Sequence, residues 1–185
     1  MKLQYKIDDK FDIKSKKYIV IANATFDVIL RFIDLLDDDN LSPNIILNTG
    51  IRMLLGKGLE DLPSVEKRMI LERIINKYLK SKPKVIYDLT GNPMPQVESD
   101  IQVIDYNEDS KYIYSAFMQV YGIDLFEEQG KLHWNKFQAL MDGLPDDTKL
   151  SQIIHFRTWE ESDDKKDYKQ YMREQKQYWS LGGED

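Results

Sequence analysis

A chain of 185 residues with 42% apolar and 11% aromatic side chains can build a real core as one domain or two small ones, which excludes disorder throughout. The absence of cysteine excludes disulfides and thiolate chemistry and fits a reducing compartment. A net charge of −6 argues against broad phosphate-backbone binding, which draws on an excess of Lys and Arg. No apolar run approaches the roughly 20 residues needed to span a bilayer. The start, MKLQYKIDDKFDIK, alternates charge with apolar residues where a signal peptide would carry an apolar core. The expectation is a cytoplasmic protein with no membrane partner.

Residues 3–22 alternate in period two: Leu3, Tyr5 and Ile7, then Phe11 and Ile13, then the β-branched run Ile19, Val20, Ile21. This pattern predicts a short β-hairpin or three-stranded meander turning near Ser15 and Lys16. Asn23 or Thr25 can cap the helix that follows, with Asp27 complementing its positive end. That helix, to about Asp37, is apolar nearly all round (Phe26, Val28, Ile29, Leu30, Phe32, Ile33, Leu35, Leu36). Such a helix is either central to its domain or covered by a partner. The run Asp37, Asp38, Asp39 lacks the spaced oxygens and Gly of a calcium loop and reads as a solvated loop.

Ser42 and Pro43 open a second helix through Ile45, Leu47, Ile51, Leu54 and Leu55. It runs into Gly56, Lys57 and Gly58. With Gly50 these resemble a phosphate loop, but five residues separate Gly50 from Gly56 where the motif needs four, and Gly58 stands where Ser or Thr should bind magnesium. A helix C-cap is the better reading. Residues 64–81 form an amphipathic helix with Val65, Ile70, Leu71, Ile74, Ile75 and Tyr78 on one stripe and Lys67, Arg68, Arg73, Lys77 and Lys80 elsewhere. Residues 63–82 hold six bases against two acids, a solvated basic face that could also dock on an acidic partner or nucleic acid.

Pro83, Gly91, Asn92, Pro93 and Pro95 mark a linker, with one extended piece over residues 85–87. Beyond it Asp105 or Asp109 caps a helix striped by Ile113, Ala116, Phe117, Val120 and Tyr121, and Gly122 ends it left-handed. The next helix, from Leu132, carries Trp134, Phe137, Leu140, Met141 and Leu144 and stops at Gly143-Leu144-Pro145. Asp146, Asp147 and Thr148 cap a third, with Leu150, Ile153, Ile154 and Trp159. After the acidic residues Glu160, Glu161, Asp163 and Asp164, a last helix runs to about Trp179 with Tyr168, Tyr171, Met172, Tyr178 and Trp179 at helical spacing. Residues 165–179 hold five bases against two acids. Aromatics among bases can grip single-stranded nucleic acid, but a tyrosine stripe more often seats a helix on protein. The organisation predicted is therefore mainly α: a hairpin plus three helices over 1–82, a linker over 83–103, a helical unit over 104–160 and an amphipathic helix and tail over 161–185.

Chemistry is sparse. The two histidines, His133 and His155, fall in different predicted helices with no recognisable ligand spacing around them. There is no nucleophile elbow, His-Glu-x-x-His or glycine-rich dinucleotide turn. Acid pairs such as Glu127-Glu128 and Asp146-Asp147 are explained by helix ends. We name no catalytic residue, metal ligand or cofactor, and expect no enzyme.

The order Asp105-Tyr106, then YIYSAF over 112–117, YGIDL over 121–125, Leu132-His133-Trp134 with Phe137, and Leu144-Pro145 resembles the bacteriophage "gene product fifteen" family. The likeness is dense over 104–159 and looser over 18–41. Family members are found in long-tailed phages and prophages of Gram-positive bacteria, commonly encoded between the tail tube and tape measure proteins. That position implies a tail assembly chaperone acting in the host cytoplasm and absent from the mature virion. The partners implied are the tape measure protein, with the tail tube protein and a second copy of the chain as further candidates. Members often carry a second aromatic after the His-Trp pair, where this chain has Asn135. Contact surfaces for a client are expected on the first helix (Phe26, Ile29, Leu30, Ile33, Leu36) and the last (Tyr168, Tyr171, Met172, Tyr178, Trp179). The competing readings are a tail completion or connector protein of the virion, and a nucleic-acid-binding regulator using the bases of 67–80 and 165–176.

Overall fold

The computed structural model describes residues 6–15, 17–57, 59, 61–80, 103–161 and 165–182. Among them the fold is mainly α, with seven helices and one two-stranded antiparallel hairpin. None of these helices is long and apolar enough to cross a membrane. Leu3 and Tyr5, the extended piece at 85–87 and the rest of the predicted linker lie outside the described residues. The chain divides into two compact units, residues 1–83 with 128–139, and residues 84–127 with 140–185. The Leu132 to Phe137 stretch, expected in the second helical unit, thus belongs to the first.

In the first unit, β1 (Lys10–Ile13) and β2 (Tyr18–Ile21) pair with Phe11 opposite Val20 and Asp12 opposite Ile19. The period-two pattern turns Phe11 and Ile13 inward, where both are buried. Helix α1 (Phe26–Asp37) follows directly. Neither expected cap accepts an amide from it. The Thr25 hydroxyl donates to Asn23 Oδ1 at 3.2 Å instead. Backbone pairing takes over: Phe26 N–H donates to the Leu132 carbonyl at 2.9 Å and Trp134 N–H to the Ala24 carbonyl at 2.8 Å, which lays residues 132–134 antiparallel to 24–26.

Helix α2 (Pro43–Leu55) starts at Ser42-Pro43 as predicted and ends at Gly56, whose φ of 82° is a C-terminal stop. Gly50 lies inside it because α1 passes close by: a Cβ there would sit 2.9 Å from Phe32 Cε2. Helix α3 (Ser64–Tyr78) buries Ile70, Leu71, Ile74 and Tyr78 as its stripe predicts. Two positions differ. Val65 is exposed, while Lys67, assigned to the solvated basic face, is buried with Nζ donating to Asn48 Oδ1 at 2.7 Å. Its four-carbon stem covers apolar surface while the ammonium reaches a polar partner on α2.

The start of α5 (Trp134–Asp142) completes this unit, and Trp134 and Phe137 are among its most buried side chains. Trp134 Nε1 donates to the Tyr78 carbonyl at 2.8 Å, which satisfies the indole N–H at the C-terminal end of α3.

In the second unit α4 (Ser110–Tyr121), α6 (Lys149–Thr158) and α7 (Lys166–Tyr178) enclose Ile113, Ala116, Phe117, Leu150, Ile153 and Met172. Gly122 ends α4 at φ 65°, and the Thr148 side chain caps α6 by accepting from Ser151 N–H at 3.2 Å, both as read from sequence. Trp159 lies just past α6 rather than within it. Asp105 Oδ1 accepts the amides of Asn107 and Glu108, in the turn before α4. Asp109, at the N-cap position, does not cap: its carboxylate is turned inward to Arg157.

Candidate functional site

The α1 residues singled out for partner binding divide by exposure. Phe26 and Ile29 are core. The Phe26 ring stacks on Phe137 with centroids 5.1 Å apart, and Phe137 in turn stacks on Trp134 at 5.5 Å. Leu30, Ile33 and Leu36 are half-buried. The solvent side of the helix carries Arg31 and Asp34, with Asp27 half-buried at its start, so α1 is central to its unit and two-faced rather than apolar all round. Burial works to raise the Asp27 carboxyl, but the Gly130 N–H at 2.9 Å, the Thr25 hydroxyl and the Arg31 guanidinium at 2.6 Å outweigh it and hold the group below the usual range.

A polar cluster whose members sequence reading did not join sits in the same unit. The Asp9 carboxylate accepts from the Tyr78 hydroxyl and, at 3.1 Å, from His133 Nε2. Asn135 N–H donates to His133 Nδ1 at 3.0 Å, which places the ring proton on Nε2 and makes the imidazole a cap for α5. Burial, then the Asp9 hydrogen bond, pushes the Tyr78 phenol far above its ordinary value. This arrangement locks the segment before β1 to the end of α3 and the start of α5. Nothing local in the sequence joins Asp9 to residues 69 and 124 positions away. Among the described residues no three His, Asp or Glu side chains group as a metal site would.

Helix α7 presents a different surface. Met172 is buried, and Trp179 is wedged against Tyr112 at 5.7 Å and under the Lys149 ammonium at 4.5 Å. Tyr168, Tyr171 and Tyr178 are exposed, Tyr178 by 75%, although Tyr171 keeps an edge contact with Phe156. At 3.6 residues per turn the three tyrosines share roughly 80° of the helix circumference. Several bases of α7 are engaged within the unit: Arg173 and Lys169 with Glu161, and Lys176 with the Trp159 carbonyl. The Arg173 hydrogen bonds hold the Glu161 carboxyl below its usual range. On α3, Arg73 and Lys77 lie over the Phe11 ring at 5.6 and 5.0 Å.

A family model described as Bacteriophage Gp15 protein matches residues 4–181, across every described helix and strand. The chain belongs to the Gp15 family. It is accordingly a bacteriophage protein. No curated protein and no solved structure matches it. The Gp15 match runs nearly end to end and so extends well beyond the likeness read over 104–159.

Within this Gp15 chain, Asn135 follows the His133-Trp134 pair. Its contribution here is a backbone amide to His133, which any residue but proline supplies. One exposed patch was not singled out from sequence. Phe126, 70% exposed, packs on Tyr114 at 5.3 Å, and Met118, four residues on from Tyr114 in α4, is exposed as well. Its signal was a Phe directly after the inward Leu125 in a turn, where an apolar side chain has no core to enter.

Proposed function

We propose that this phage protein is a tail assembly chaperone: it binds the tape measure protein and keeps it soluble until the tail tube polymerises around it. The observation that carries the reading is the exposed tyrosine row of α7, held on a helix whose Met172 and Trp179 fix it to its own unit. A tape measure protein is a long, helix-rich apolar chain. Tyrosines offer it large, rigid contact area at low conformational cost while their hydroxyls keep the free surface wet. The half-buried Leu30, Ile33 and Leu36 of α1 and the Phe126 patch are further contact candidates, and the net charge of −6 favours solubility of the complex.

The protein works in the host cytoplasm and leaves before the particle is complete. Engagement of Lys67, Arg73, Lys77, Lys169, Arg173 and Lys176 inside their own units favours a protein client over nucleic acid. Mass spectrometry of purified particles, run beside pull-downs from infected cells, tests the reading. The chain should accompany the tape measure protein in the cell and be missing from the particle. Stoichiometric presence in the particle would favour a completion or connector subunit instead.

A further inference from the structure

We infer that two copies of this chain join through β2, edge to edge and antiparallel, into a four-stranded sheet ordered β1-β2-β2-β1. Among the described residues β2 pairs with β1 alone, which leaves its other edge open. The Ala22 N–H donates to the Asp9 carbonyl at 2.8 Å and fixes the phase of the ladder. Hydrogen-bonded pairs alternate along an antiparallel ladder, so Val20 directs its backbone groups to β1. Ile19 and Ile21 then direct theirs to the open edge. Their side chains are also uncovered, 61% and 71% exposed, on the hairpin's outer face. The strand sequence YIVI has no proline or charge of the kind that protects an edge, and an isolated two-stranded hairpin is marginal by itself.

The occupant is a second copy because the edge is complementary to itself. With Val20 on the two-fold axis, Ile19 of each copy faces Ile21 of the other. These become the bonded pairs and Val20 the non-bonded one, the phase the ladder requires. The rows then extend into β1 through the pairs Lys10 with Ile21 and Asp12 with Ile19. Each row reads Lys10, Ile21, Ile19 of the second copy, Asp12 of the second copy, with a cation at one end and an anion at the other. A parallel pairing in register would put like charges at both ends of every row.

Sedimentation of the full chain over a range of concentrations tests this. The mass should rise from 21.9 kDa toward twice that value with concentration. Ile19→Lys with Ile21→Lys sets lysine against lysine across the axis and should weaken association by more than about tenfold, with an unchanged circular dichroism spectrum. Ile19→Lys with Ile21→Glu sets lysine against glutamate and should restore the dimer. The register is tested in the same cysteine-free background. Facing Cα atoms in bonded pairs are about 5.5 Å apart, within disulfide reach. An oxidised mixture of Ile19→Cys and Ile21→Cys chains should therefore cross-link, and either chain alone should not. A wild-type monomer at every concentration, a dimer that persists in the double-lysine variant, or single variants that cross-link as well as the mixture would overturn the proposal.

Discussion

Arg157 and Asp109 form a buried, two-pronged ion pair: Nη1 meets Oδ2 at 2.6 Å and Nη2 meets Oδ1 at 3.0 Å, with the side chains 6% and 2% exposed. Nη1 also donates to the Val103 carbonyl at 3.0 Å and Nε to the Trp179 carbonyl at 2.6 Å, so one side chain joins the approach to α4, α6 and the end of α7. Removing one partner strands the other charge out of water. Arg157→Ala should therefore lower stability by about 3–5 kcal/mol, and Asp109→Leu combined with Arg157→Met should recover a large part of that loss. Urea unfolding followed by circular dichroism checks both. A single variant within about 0.5 kcal/mol of wild type, the range of an ordinary surface change, would remove the pair from its organising role.

Gly50 gives a second, sign-sensitive expectation. In an open helix Gly→Ala would stabilise by about 1 kcal/mol through propensity. Here the new methyl would meet Phe32 Cε2 at 2.9 Å and Leu71 Cδ1 at 3.4 Å, and the Phe32 ring is fully buried. Overpacking of this kind costs about 1–3 kcal/mol, so Gly50→Ala should lower the melting temperature despite the better helix former.

Asp27 sets an acid limit. Its carboxyl is held below the ordinary value of 3.8 in the folded protein, so its contribution is fully present above that value and is lost as pH falls through the depressed folded pKa. Stability measured from neutral pH down through this region should fall less steeply for Asp27→Asn than for wild type. Equal slopes would mean that the Gly130 and Arg31 contacts do not distinguish the charged form.

Local signals were legible from sequence where the chemistry is local. Pro43 starts a helix through its fixed φ, although the Ser42 hydroxyl caps no amide, Gly122 ends one and Thr148 caps one, because each acts on backbone within a few residues. The apolar stripes also placed Ile70, Ile74, Phe117 and Ile153 in their cores. What failed depends on partners distant in sequence. Asp109 looks like a cap until Arg157, 48 residues on, claims it. Lys67 looks solvated until Asn48 is beside it. The strand-like pairing of 24–26 with 132–134, which draws the start of α5 into the first unit, leaves no mark on periodicity. The two helices expected to carry contact surfaces, α1 and α7, behaved unequally for the same reason. A stripe reveals which residues are apolar, and only the packing separates Phe26 and Ile29, which are enclosed, from Tyr168 and Tyr178, which are not.

The tyrosine row separates binding from folding. Tyr168→Ser, Tyr171→Ser and Tyr178→Ser alter exposed side chains, and each should change stability by no more than about 1.5 kcal/mol, the worth of the edge contacts that Tyr171 makes with Phe156 and Tyr178 with Trp179. If the row grips a client, the triple variant should keep its helical spectrum and lose most of its affinity for the tape measure protein, since exposed aromatic anchors dominate such contacts.

The most direct measurement is the soluble fraction of the tape measure protein from the same phage, expressed alone, with the wild-type chain and with the triple tyrosine variant. Chaperoning through α7 predicts that the wild-type chain raises that fraction severalfold and co-purifies with it, while the variant does neither. A tape measure protein equally insoluble with and without the wild-type chain, and absent from its purified fractions, would contradict the proposed function.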